Sequence, residues 1–116
     1  VKRRVLFIVT SDPRVSARPA EAVRIAAGVG AWKSLEAVLY LRGPAVLALG
    51  ESAEELVDGD NFVRYLPLAT EAGRRLCVQR GSPLLAELGE TQIRFEPVDE
   101  DELARLAAHS ECVVRF

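Results

Sequence analysis

The residues best equipped for chemistry lie in "RRLCVQRGSPLL", positions 74–85. Cys77 is placed in a short β-rich run, Arg80 in the turn that follows, and Ser82-Pro83 where a helix would begin. A thiol beside a guanidinium and a helix N-terminus has its pKa lowered, and its thiolate is a nucleophile. A cysteine held inside a strand is instead a small hydrophobe. The residues alone leave both readings open.

Two other junctions repeat the pattern of strand, arginine turn and proline-started helix. "SDPRVSARP" carries Ser11, Arg14 and Arg18, and "RGP" carries Arg42 and Gly43; "RGSP" adds Arg80, Gly81 and Ser82. Ligands of open α/β sheets gather outside the carboxyl ends of the strands. Helix starts there offer free N–H groups, and arginines add forked donors. These residues predict an electropositive rim suited to a small anion or nucleotide.

Other signals carry less. "GVGAWKS" (28–34) resembles a phosphate loop, but it ends a helix and enters a strand, the reverse of the required order. "DGDN" (58–61) lacks the spacing of a calcium loop, and Asp60 or Asn61 as a helix cap fits better. His109 is the only histidine, and without Cys-x-x-Cys it predicts no metal site. No Gly-x-Ser-x-Gly elbow supports a serine triad. The apolar "GPAVLAL" and the pair Phe62 and Tyr65 suit core packing or an oligomer interface.

The elements that must hold these groups alternate. Runs 5–11, 34–42, 74–79, 91–98 and 111–116 read as strands, the first without polar alternation, as in a strand buried on both faces. Segments 18–32, 43–51, 82–89 and 99–110 read as helices, with Ser82 as N-cap of the third. Residues 52–73 read as helical pieces broken near Asp58-Gly59 and Pro67. This alternation predicts a three-layer α/β/α sandwich around a mostly parallel five-stranded sheet, in one domain over 1–116.

Composition bounds the function. The chain has 116 residues, 49% of them apolar, which suits one core. A net charge of −2 with mixed signs argues against nucleic-acid partners. No apolar run approaches the ~20 residues of a membrane span, and "VKRRVLFIVT" reads as a first strand, not a leader. Two unpaired-looking cysteines suit a reducing cytoplasm.

In order and texture the chain resembles the DsrE/TusD-like family of small sulfur-relay proteins. "VLFIVTSDPRVSARPAEAVRIAAG" looks like that family's opening strand, loop and alanine-rich helix. "AVLYLRGPAVLAL" looks like its second strand, glycine turn and apolar helix. "RRLCVQRG" looks like the strand carrying its acceptor cysteine, and "DEDELARLAAHSECVVRF" like its closing helix and strand. The resemblance implies a five-stranded parallel α/β/α fold and a homo-oligomer, a trimer or hexamer. It implies that Cys77 carries sulfane sulfur as a persulfide between a donor and an acceptor protein, with no cofactor. Only Val78 and Gln79 separate Cys77 from Arg80, a shorter spacing than cysteine-bearing members have. Other members lack the cysteine, so a binding module or a structural subunit without an active thiol is the alternative.

Overall fold

The computed structural model describes residues 3–32, 34–71, 74–91 and 93–116. Expected elements that include Val1, Lys2, Lys33, Ala72, Gly73 or Gln92 are compared over their described parts. The β-rich runs become strands β1 (Arg3–Val9), β2 (Leu35–Leu41), β3 (Arg74–Gln79), β4 (Glu96–Val98) and β5 (Cys112–Arg115). They form one five-stranded sheet in the order β4-β3-β2-β1-β5, and every pairing is parallel.

That order dictates the layers. From β1 to β4 the chain steps one way across the sheet, and right-handed crossovers then keep every connection on the same face. Helices α1 (Arg18–Val29) and α2 (Asp60–Tyr65) lie there, with 3₁₀ segments Gly43–Leu49, Ala53–Glu55, Leu66–Thr70 and Pro83–Glu87. The last connection steps back from β4 to β5, so its helix, α3 (Glu100–Ala108), falls on the opposite face.

Strand alternation divides the core accordingly. Phe7, Val9, Leu39, Leu41, Leu76 and Val78 point toward α1, where Ala22 and Ala26 let the helix approach closely, and Phe62 and Leu66 close the layer. Leu6, Ile8, Val38, Tyr40, Cys77 and Val98 point toward α3 and pack under Leu106. Each buried Val, Leu, Ile or Phe among them contributes roughly 1.5–3 kcal/mol relative to exposure.

Several expected elements differ in extent. The helices read over 43–51 and 82–89 are 3₁₀ segments, because each is too short between its proline and its closing glycine to propagate i→i−4 bonds. Ser82 is not a side-chain cap: its Oγ is buried and has no partner among the described residues. Asp60 and Asn61 make no cap bond either; α2 starts after Gly59, and the Asn61 amide donates instead to Ala20 O at 3.4 Å. The strand read over 91–98 pairs only at Glu96–Val98. Ile93 and Phe95 are drawn off the ladder to pack on the α1-side core.

Candidate functional site

Cys77 sits within β3, with Val78 and Gln79 still paired beyond it. Its neighbours in register are Tyr40 on β2 and Glu96 on β4. Period-two alternation turns its side chain to the α3 face, where it is 0% exposed. The sulfur lies 4.0 Å from Glu96 Oε2. Burial pushes the thiol pKa up from 9.0 to about 11; the Glu96 carboxylate adds to the rise, while Arg75 and Arg4 oppose it. The short spacing to Arg80 therefore leaves Cys77 inside the strand, away from the rim, as a protonated thiol.

The rim residues fall into two groups. At the end of β1, Ser11 N and Thr10 N both donate to Phe116 O. The Arg18 guanidinium donates to Arg115 O at 3.1 Å and lies over the Phe116 ring. This is the point where strand order reverses, the usual ligand crevice of such sheets, and the chain's own last strand fills it. Arg14 is bound by Asp12 at 2.9 Å, which holds that carboxyl below its usual range. Arg14 also lines a cleft of about 490 Å³ together with Glu51, Glu55 and Glu87, so this end is acidic.

At the ends of β2 and β3 the second group gathers around the start of α3. Arg42 pairs with Glu100 at 2.8 Å, and Arg80 reaches Pro97 O at 3.2 Å and Glu102 at 3.6 Å. Gly43 N donates to Gln79 Oε1, tying the two turns together. Gly43 and Gly81 have φ of 58° and 76°, so both are glycine because the backbone turns left-handed there. The rim arginines thus clamp the protein's own acceptors.

A different cluster was not singled out by the sequence. On the α3 face, Arg4 pairs with Glu36, and Arg75 pairs with Glu96 at 2.8 Å. Across from them α3 presents Glu102 and Arg105, and its C-cap presents His109. Together they border a trough of about 370 Å³ with Val98 and Leu106 in its wall. Two periods could have found it. Arg75 and Cys77 are two apart on a strand, and Glu102, Arg105 and His109 are spaced three and four on a helix.

Among the described residues no group of His, Cys, Asp or Glu is arranged to hold a metal, and no helix is long and apolar enough to cross a membrane. No known family model matches the chain, and no curated protein does. Among solved structures, the crystal structure of the YchN protein from E. coli matches with a TM-score of 0.78 at 17% identity. The match covers 98% of this chain and 99% of that one. The two share a fold.

Proposed function

We propose that this chain is a DsrE/TusD-like protein that works without thiol chemistry, as a small-anion-binding module in a cytoplasmic homo-oligomer. The resemblance in segment order and the fold shared with YchN support the family assignment. The observation that carries the functional reading is the seat of Cys77: sealed beneath α3, two residues inside its strand, and protonated. A persulfide carrier needs a thiolate that a partner protein can reach. Raising the pKa from 9.0 to about 11 lowers the thiolate fraction at neutral pH roughly a hundredfold before access is counted.

The second reading is sulfur carriage at Cys77, favoured by its place in the third strand ahead of Arg80-Gly81. In that chemistry the Cys77 thiolate attacks the outer sulfur of a donor persulfide. The S–S bond of the donor breaks, its thiolate leaves, and Cys77 becomes a persulfide for transfer to an acceptor protein.

One experiment separates the two. Native protein is incubated with a persulfide donor and, in parallel, with an aromatic disulfide reagent, and each cysteine is read by mass spectrometry. The exposed Cys112 is expected to react at least ~100-fold faster than Cys77, the two converging in denaturant. Sulfane sulfur accumulating on Cys77 of the folded protein, and lost in Cys77→Ser, establishes the carrier instead. Light scattering tests the assembly: a trimer or hexamer is expected, and a monomer removes that part of the reading.

A further inference from the structure

We infer that the trough between α3 and the first residues of β1 and β3 binds a small organic phosphate, its phosphoryl group on arginine and its carbon skeleton on Val98 and Leu106. This inference rests on the reading of the chain as a binding module and names the site and the ligand class. It places the site away from the strand-end rim.

The convergence of three arginines on one cavity carries it. At the rim the arginines are spread over separate turns, each on its own acceptor: Arg14 on Asp12, Arg42 on Glu100, Arg18 on Arg115 O and Arg80 on Pro97 O. In the trough three of them border one cavity, and each keeps nitrogens without a partner among the described residues. Arg4 reaches Glu36 through Nε, which leaves both Nη groups. Arg75 reaches Glu96 through Nη2, which leaves Nε and Nη1. Arg105 makes no ion pair among the described residues although it borders the same cavity. His109 commits Nδ1 to Arg105 O at 2.7 Å, which directs the tautomer and frees Nε2. The one carboxylate in the wall, Glu102, has Arg80 beside it at 3.6 Å.

The lining of the trough therefore holds three guanidinium groups and the single carboxylate of Glu102, with Glu36 and Glu96 paired to Arg4 and Arg75 just outside it. Its spare groups are almost all donors, and a group rich in acceptor oxygens, with two negative charges, complements them. Arg4 and Arg75 have side chains about a quarter and a third exposed, so their charges are only partly screened. The volume of about 370 Å³ exceeds what a bare oxyanion fills and falls in the range of small-molecule pockets. Val98 and Leu106 are nearly buried and add apolar wall, which an inorganic ion would leave unused.

The test uses the full chain with phenyl phosphate and inorganic phosphate as probes, followed by calorimetry and by His109 ring resonances. Phenyl phosphate is expected to bind saturably, to shift the His109 signals, and to bind more tightly than inorganic phosphate. Arg105→Ala, on an exposed position of α3, is expected to weaken it at least ~10-fold. Arg75→Lys keeps the charge but loses the fork, and is expected to weaken it as well. Arg42→Ala at the rim is expected to leave it unchanged. Absence of saturation up to ~10 mM overturns the inference. So does loss in Arg42→Ala with retention in Arg105→Ala, and so does equal affinity for the two probes. Cysteine labelling on the same sample is independent. A failed titration with Cys77 still unlabelled removes the trough and leaves the thiol-free reading standing.

Discussion

The two faces of the sheet are built from the same strands, yet they are finished differently. Among the described residues, the α1 face is covered by two helices and four 3₁₀ segments, and its buried cluster is apolar, with Ser82 buried where the last of those segments starts. The α3 face has one nine-residue helix as cover. Its buried layer includes Tyr40 and Cys77, and beyond the helix the strands carry Arg4, Glu36, Arg75 and Glu96. The difference follows from strand order, since only one connection steps back across the sheet. Stability is concentrated on one face, and the polar chemistry available to a ligand is concentrated on the other.

Truncating one side chain on each face tests this at the largest scale. Phe62→Ala empties a well-covered layer and is expected to cost about 3–5 kcal/mol. Leu106→Ala opens a site that is already near solvent and can relax, and is expected to cost about 2 kcal/mol. Chemical denaturation of both variants gives the comparison. A larger loss at Leu106 breaks it, because α3 would then be the main clamp of the fold.

Titration sharpens it next. None of the buried residues of the α1 face ionises, whereas Cys77 and Tyr40 on the α3 face both have raised pKa values, chiefly through burial. The folded state therefore holds the Cys77 proton more tightly than the unfolded chain does. The stability this provides is complete below 9.0 and is lost as pH rises toward about 11. In a Cys112→Ser background, the stability of wild type relative to Cys77→Ala is expected to fall by about 2 kcal/mol between pH 8 and pH 11. Tyr40 is common to both proteins and cancels. A difference that stays constant with pH would mean that Cys77 reaches water in the folded state.

The same division explains what the sequence disclosed. Strands buried on both faces announce themselves as continuous apolar runs, so "VLFIVTS" read as such a strand, and alternation with helices gave the parallel α/β class, while strand order was not legible. Extents were harder. In "TQIRFEPV" the residues Ile93 and Phe95 have strand character, but their apolar surface is satisfied by the core beneath them and the ladder starts only at Glu96. The positions of the rim residues were legible, because turn glycines and prolines mark strand ends. Their partners were not: Glu100, Phe116 and Asp12 come from other elements or from local turns, and no spacing announces an ion pair between segments. The orientation of Cys77 could have been read from its distance of two from Arg75, but its burial depends on α3 arriving from the other end of the sheet.

The smallest expected effect addresses how α3 is held. Asp99 precedes the helix, and its Oδ1 accepts from Glu102 N at 2.8 Å, a side-chain cap on the first turn. That backbone bond is the main reason its carboxyl sits below the ordinary value of 3.8. A lowered folded-state pKa stabilises above 3.8 and ceases to do so as pH falls through the lower folded value. Asp99→Ala is expected to lower Tm by a few degrees at neutral pH, with the gap from wild type closing in acid; Asp99→Asn, which retains the cap, is expected to recover most of the loss. The decisive readout lies elsewhere. Loosening the first turn of α3 uncovers the face beneath it, so Cys77 labelling should quicken in Asp99→Ala while amide protection of β1 and β2 residues against α1 stays as in wild type. If both change together, the two faces open as one unit, and the incomplete cover of the α3 face has no separate dynamic consequence.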